Sequence, residues 1–162
     1  RKAIENIVKN LSVQNVCFLP FLDQEKLCEI YSLASCLVLP SLYGETWGLV
    51  VNEAMVCGLP VVVSRQCGCA NTLVEHGQNG WLFDPDNTDD LTYRIDQFVE
   101  MPENQREAMG KFSKKIISNW GLEKFCDSAY NAIQHASQSK NGFANPLDWL
   151  LSEMWNGRYR PV

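Results

Sequence analysis

Residues 36–64 read CLVLPSLYGETWGLVVNEAMVCGLPVVVS. Cys36–Ser41 is an apolar run closed by Pro-Ser, as expected of a strand buried on both faces. LYGET then reads as a loop. Gly48 to Cys57 predicts a helix, with Gly58 where a left-handed C-terminal cap would sit. PVVVS, residues 60–64, predicts the next strand. Strand, helix and strand with short connections form a βαβ unit, whose crossover is expected to be right-handed.

The pattern extends both ways from this unit. Upstream, Asn15–Leu19 (NVCFL) reads as a buried strand stopped by Pro20. Asp23–Ala34 reads as a helix with Asp23 as its N-cap. Ile4, Ile7, Val8 and Leu11 recur at helical spacing and predict the end of a helix over Arg1–Leu11. Downstream, 67–80 is a Gly-rich loop with one helical turn at Thr72–Val74, and Gly80–Pro85 is a short strand and turn. Helices follow from Asn87 or Thr88 to Phe98, from Pro102 to Asn119, and from Leu122 to His135. The expected fold class is α/β: a Rossmann-like parallel sheet with helices on both faces. Residues 137–145 are polar and read as a linker. Residues 146–162 read as an amphipathic helix and tail, with Asn145 as N-cap and Pro146 at the first helical position. Its stripe of Leu147, Leu150, Leu151 and Met154, widened by Trp155, faces acids at Asp148 and Glu153. It is therefore expected to pack on protein rather than on a membrane surface.

At 162 residues the chain suits one domain with a sizeable core. Its net charge of −5 argues against a general nucleic-acid footprint. No apolar run reaches the roughly 20 residues that span a bilayer, and no signal peptide is visible at the start. The seven cysteines sit mostly in apolar stretches and read as reduced, half-buried thiols. Cys67-Gly-Cys69 lacks CxxC spacing and a second pair, so a metal site is not expected there. The acids of Asp86–Asp90 read as helix capping, and His76 and His135 as surface or loop-packing residues.

Glu45 and Glu53 stand eight positions apart, one at each end of the predicted helix. Glu45 falls just past a strand, in the crevice where open parallel sheets bind ligands. The amides of Trp47 to Val50 open the helix without intrahelical partners and favour a phosphate or a polar group. Gly48 offers close approach to the backbone. Were the whole stretch helical, eight residues would span ~12 Å, about the length of a diphosphate with a sugar at either end. Carboxylates suit vicinal hydroxyls because each accepts two donors. The alternative on spacing alone is a helix with a solvated glutamate at each end.

LPSLYGETWGLVVNEAMVCGLPVVVS closely resembles the signature of GT-B glycosyltransferases in the retaining family called family 4 or group 1. Its E-x7-E is Glu45 to Glu53, followed by Glu-Ala-Met at 53–55 and Gly-Leu-Pro-Val-Val at 58–62. NVCFLPFLDQEKLCEIYSLASCLVLPS, CGCANTLVEHGQNGWLFDPDNTDDL and NWGLEKFCDSAYNAI resemble the family's flanking segments, so the likeness runs from about Asn15 to Ala136. It implies that Glu45 contacts the donor sugar as the catalytic carboxylate and that Glu53 binds the ribose. It also implies that the amides of Thr46, Trp47, Gly48, Leu49 and Val50 cradle sugar and phosphate, and that Leu22 lies near the nucleobase. Pro20 and Thr72 depart from the Gly and Glu that most members carry.

By the same resemblance, residues 1–136 form a nucleotide-sugar-binding domain without its first βαβ portion, in the C-terminal half of a GT-B enzyme. The donor is a nucleotide-diphosphate sugar, with no metal or other cofactor required. The acceptor (a glycan, a lipid or a small molecule) is expected to bind the other half. The isolated chain is expected to show little turnover. A cytoplasmic location is expected, with any peripheral membrane contact through parts outside this chain. The rival readings are a GT-B epimerase or phosphorylase, and a non-catalytic nucleotide-sugar-binding or partner-docking module.

Overall fold

The computed structural model describes residues 1–138. They form seven helices and a three-stranded sheet: α1 (Lys2–Asn10), α2 (Gln24–Leu33), β1 (Leu37–Leu39), α3 (Leu49–Val56), β2 (Val61–Ser64), α4 (Ala70–Leu73), β3 (Gly80–Phe83), α5 (Thr88–Glu100), α6 (Glu103–Ile117) and α7 (Leu122–Gln138). The chain divides into two compact units, Arg1–Asn119 and Trp120–Val162. α7 is the described part of the second. Ser137 and Gln138, expected to open a linker, are the last residues of α7. The remaining linker residues and the helix expected over 146–162 lie outside the described residues.

The sheet has the order β1-β2-β3 and is parallel throughout. Leu37 pairs with Val61 and Leu39 with Val63, while Val61 pairs with Gly80 and Ser64 with Phe83. The central strand is buried at all four positions, which explains its uninterrupted apolar sequence. Val61 and Val63 point into a cluster with Val51, Ala54 and Met55 of α3, Ala70 and Leu73 of α4, and Leu82. Val62 points the other way, to Trp81, Phe83, Phe98 of α5 and Met109 of α6. The sheet is thus covered on both faces, as the sequence predicts. Each of the three valines of β2, all fully buried, contributes about 1.5–3 kcal/mol.

Local chemistry sets most boundaries. The Asp23 side chain accepts from the Lys26 amide at 3.0 Å and starts α2. Asn87 accepts from the amides of Asp89 and Asp90 and starts α5. At the end of α3, Gly58 adopts φ +83°. Its amide donates to the Met55 carbonyl and that of Leu59 to Ala54, both at 3.0 Å. This paired closure turns the chain directly into β2. The helical turn expected at Thr72–Val74 lies slightly earlier, at Ala70–Leu73.

One predicted strand is absent. Asn15–Leu19 is irregular, and Val16 and Leu19 stay 44% and 45% exposed. A strand is held by its ladder partner, and no described segment pairs with this one. The carbonyls of Phe18 and Leu19 instead accept from the Arg1 guanidinium, each at 3.2 Å. An apolar run alone did not make a strand here.

α6 meets the α3–β2 turn at glycine. A Cβ on Gly110 would stand 2.1 Å from the Gly58 carbonyl oxygen. A Cβ on Gly58 would meet the Lys114 side chain, nearest at Cε, 2.6 Å away, and that flexible chain can swing away. Gly110→Ala gains about 1 kcal/mol of helix propensity, yet is expected to lower stability by about 1–3 kcal/mol, because a backbone carbonyl cannot yield. Gly58→Ala is expected to cost about 1–2 kcal/mol through its left-handed backbone. Urea unfolding midpoints of the two variants check this. An unchanged midpoint for Gly110→Ala would mean that α6 does not sit on this turn.

Candidate functional site

Two loops follow the carboxyl ends of β1 and β2 and close against each other. The Gly68 amide donates to the Glu45 carbonyl at 3.3 Å, and the Cys69 amide to the Trp47 carbonyl at 2.9 Å. A Cβ on Gly68 would fall 1.9 Å from the Thr46 carbonyl oxygen, so only glycine permits this contact. Cys67-Gly-Cys69 therefore serves loop docking. Both thiols are buried. Burial raises the pKa of each, that of Cys69 to about 11, so they stay protonated and poorly suited to bind metal. Among the described residues no group of three or more His, Cys, Asp or Glu side chains could hold a metal ion.

The docked loops set the start of α3. Gly48 caps the helix in the left-handed region, at φ +99°, and is buried. The space beside its Cα is taken by Leu39 Cδ2 and Cys69 Sγ, which a Cβ would meet at 3.0 and 3.3 Å. Gly48 is needed for its backbone angle and for packing on the core. The Leu49 and Val50 amides lie in the first helical turn, where no carbonyl one turn earlier is available. Their side chains are exposed, as is Thr46. Trp47 is half-buried, and its Nε1 donates to Asn52 Oδ1 at 2.9 Å, tying the loop to the helix.

Glu45 lies in the loop, before the helix begins, so the stretch between the two glutamates is helical only in its second half. Half-buried, Glu45 raises the pKa of Cys67 and Cys69 through its charge. Its Cγ lies beside Gly48 at the start of the helix. Glu53 faces a different neighbour. Its Oε2 accepts from the Tyr31 hydroxyl of α2 at 3.0 Å. Burial first, then Glu53, push the Tyr31 phenol up to about 12. Glu53 and Tyr31 line a cavity of about 270 Å³ between α2 and α3, with Gln24, Leu27, Asn52 and Val56. Cys28 and Cys57 complete its wall.

The structure thus sets both carboxylates on one short segment, Glu45 in the loop and Glu53 on the helix beside α2. Leu22 is half-buried, just ahead of the Asp23 cap. The sequence reading missed Tyr31 and the rest of the α2 wall. A signal was present: Gln24 and Cys28, and likewise Leu27 and Tyr31, stand four apart and share a helix face. Nothing in the sequence said that this face meets Glu53. All seven cysteines are free, but Cys17, Cys28 and Cys126 are exposed rather than half-buried.

A parallel sheet covered on both faces, with a glycine-capped helix at the carboxyl ends of its strands, defines an open α/β domain of the kind that binds ligands at that edge. The family model described as glycosyl transferases group 1 matches residues 1–116, and the chain belongs to that family. It is 28% identical over 93% of its length to sulfoquinovosyl transferase SQD2 of Arabidopsis thaliana, covering 31% of that protein. It is also 28% identical over 83% of its length to D-inositol 3-phosphate glycosyltransferase of Rhodococcus erythropolis, covering 30% of it. Among solved structures, sucrose-phosphate synthase from Thermosynechococcus elongatus aligns with a TM-score of 0.71 and 28% identity, over 85% of this chain and 35% of that one. Anabaena HepE in complex with UDP-glucose aligns with a TM-score of 0.65 and 29% identity, over 73% of this chain and 32% of that one. The chain spans about a third of the length of the curated relatives it matches. No helix among the described residues is long and apolar enough to cross a membrane.

His76 has a structural place. Its Nδ1 accepts from the Leu82 amide at 3.1 Å. Burial, then the charges of Arg94 and Arg65, lower its pKa. The folded chain favours the neutral ring, so its contribution is present above the ordinary histidine pKa near 6.5 and is lost as pH falls below that through the lower folded-state value. The thermal unfolding midpoint is expected to drop as pH falls below about 6.5. His76→Asn, which keeps an acceptor for the Leu82 amide but does not titrate, is expected to flatten that slope. An equal slope in the variant would assign the pH dependence to other groups.

Proposed function

We propose that this chain is the donor-binding part of a retaining glycosyltransferase. The longer enzyme would move a sugar from a nucleotide-diphosphate sugar to an acceptor hydroxyl. One observation carries the reading. A single short helix opens on backbone amides beside Glu45 and, one turn on, presents Glu53 at a 270 Å³ cavity between helices. A donor has parts to suit each feature: a sugar for Glu45, a diphosphate for the amides of Thr46 to Val50, and a ribose diol for Glu53. Leu22 is assigned to the nucleobase side. The complexes of Anabaena HepE with UDP and with UDP-glucose favour this ligand class.

In this reading the start of α3 stabilises negative charge that develops on the leaving diphosphate. No metal or other cofactor is required of this part. The acceptor, whether glycan, lipid or small molecule, meets residues outside this chain, so turnover needs the longer protein. The site of action is cytoplasmic, with any membrane contact made elsewhere.

Ligand-observed NMR of the chain with a panel of UDP-, GDP- and ADP-sugars tests this. Saturable binding of one nucleotide class is expected, weakened at least about tenfold in Glu53→Ala by loss of a charge-assisted hydrogen bond. Equal binding by the variant would remove the ribose role from Glu53. Binding of none of the panel would favour a partner-docking module instead.

A further inference from the structure

We propose that Tyr31 is the positioning residue of this donor site: its hydroxyl holds the Glu53 carboxylate in the orientation that reads a vicinal ribose diol. The inference depends on the reading of Glu53 as the ribose carboxylate and extends it to a residue on another helix.

The geometry is specific. Tyr31 is 7% exposed, so its ring is fixed by packing in the core cluster that also holds Val51, Ala54 and Met55 of α3. Its hydroxyl reaches the surface of that cluster and donates to Glu53 Oε2 at 3.0 Å. A phenol with a pKa near 12 remains a donor at every physiological pH. A glutamate side chain otherwise samples many rotamers, and ordering it for a ligand costs free energy at the moment of binding. Here one carboxylate oxygen is already engaged from below. The other keeps its lone pairs for the ligand, at the rim of a cavity whose wall is largely apolar. Two hydroxyls on adjacent carbons can share the remaining acceptor positions of one carboxylate. A ligand lacking one of them leaves an acceptor unmatched, and such sites discriminate strongly. The expected property is therefore selectivity for ribose over 2′-deoxyribose, set by Tyr31 through Glu53.

The test is isothermal titration of the 162-residue chain with UDP, GDP and ADP, and with the 2′-deoxy form of whichever binds most tightly. The chain is compared with Tyr31→Phe and Glu53→Gln. The wild type is expected to prefer the ribose form by about tenfold or more. Tyr31→Phe is expected to lose most of that preference while its affinity for the 2′-deoxy form hardly changes; its unfolding midpoint falls with the lost hydrogen bond, so both ligands are titrated at a temperature where the variant is folded. A merely structural role would weaken both ligands alike. Glu53→Gln is expected to lose the preference entirely. If Tyr31→Phe keeps the wild-type preference and Glu53→Gln loses it, Tyr31 is structural and the ribose reading of Glu53 stands. If the wild type shows no preference, if Glu53→Gln retains it, or if no nucleotide saturates the chain, both assignments fall. A further reading needs no change at Tyr31. Its ring-carbon resonance next to oxygen is expected to shift in Glu53→Gln, and again when the nucleotide binds to the unsubstituted chain. A resonance indifferent to both would also overturn the proposal.

Discussion

At Gly68 two backbone segments approach so closely that no side chain fits between them. The Gly68 amide donates to the Glu45 carbonyl, and the Thr46 carbonyl fills the space where a Cβ would lie. This contact binds the loop after β1 to the loop after β2. It also fixes where the chain leaves β1 and enters α3, because Cys69 holds the Trp47 carbonyl and packs against Gly48. The left-handed angle at Gly48 then aims the helix. Cys69 is buried, and a hydrogen bond from a buried amide is costly to leave unmade, so the loops hold one shape. The position of Glu45 and of the first amides of α3 follows from it.

α3 carries the second consequence. Val51, Ala54 and Met55 recur at i, i+3 and i+4 and are buried, so Asn52, Glu53 and Val56 must face outward, to the cavity beside α2. The helix is apolar on nearly all sides, and its one carboxylate sits directly next to a fully buried alanine. A half-buried carboxylate in such surroundings needs a donor, and the Tyr31 hydroxyl supplies one, a hydrogen bond of the charge-assisted kind worth about 1.5–3 kcal/mol. Packing and polar satisfaction therefore place Glu53 together. The same interaction joins α2 to α3 at the point where ligand chemistry is proposed.

Membership in the glycosyl transferases group 1 family fits the way the sheet is built. β2 sends Val61 and Val63 to one core cluster and Val62 to the other, which leaves the helices on both faces and frees only the strand ends for a ligand. The loops at those ends carry Glu45 and the docked glycines. The relatives and neighbours share this frame at 28–29% identity. A frame set by burial tolerates such divergence, since apolar volume and periodicity matter more to it than residue identity.

The sequence by itself determined the βαβ order, the parallel sheet with two covered faces, the caps at Asp23 and Gly58, and the two glutamates as the residues to examine. These are local matters: side-chain periodicity, capping chemistry and backbone permission act within a few residues, and the sequence displays them directly. The strand expected at Asn15–Leu19 shows the limit, since a strand depends on a partner that local sequence does not specify. Only the tertiary structure decided that Gly48 packs on the core and that Gly68 lets two loops touch. It alone set Glu45 in a loop ahead of the helix and turned Glu53 toward α2. It alone brought Tyr31, twenty-two residues earlier in the chain, under the Glu53 carboxylate. Such contacts arise when separate elements pack, and their partners are set by the geometry of the sheet, which no local pattern encodes.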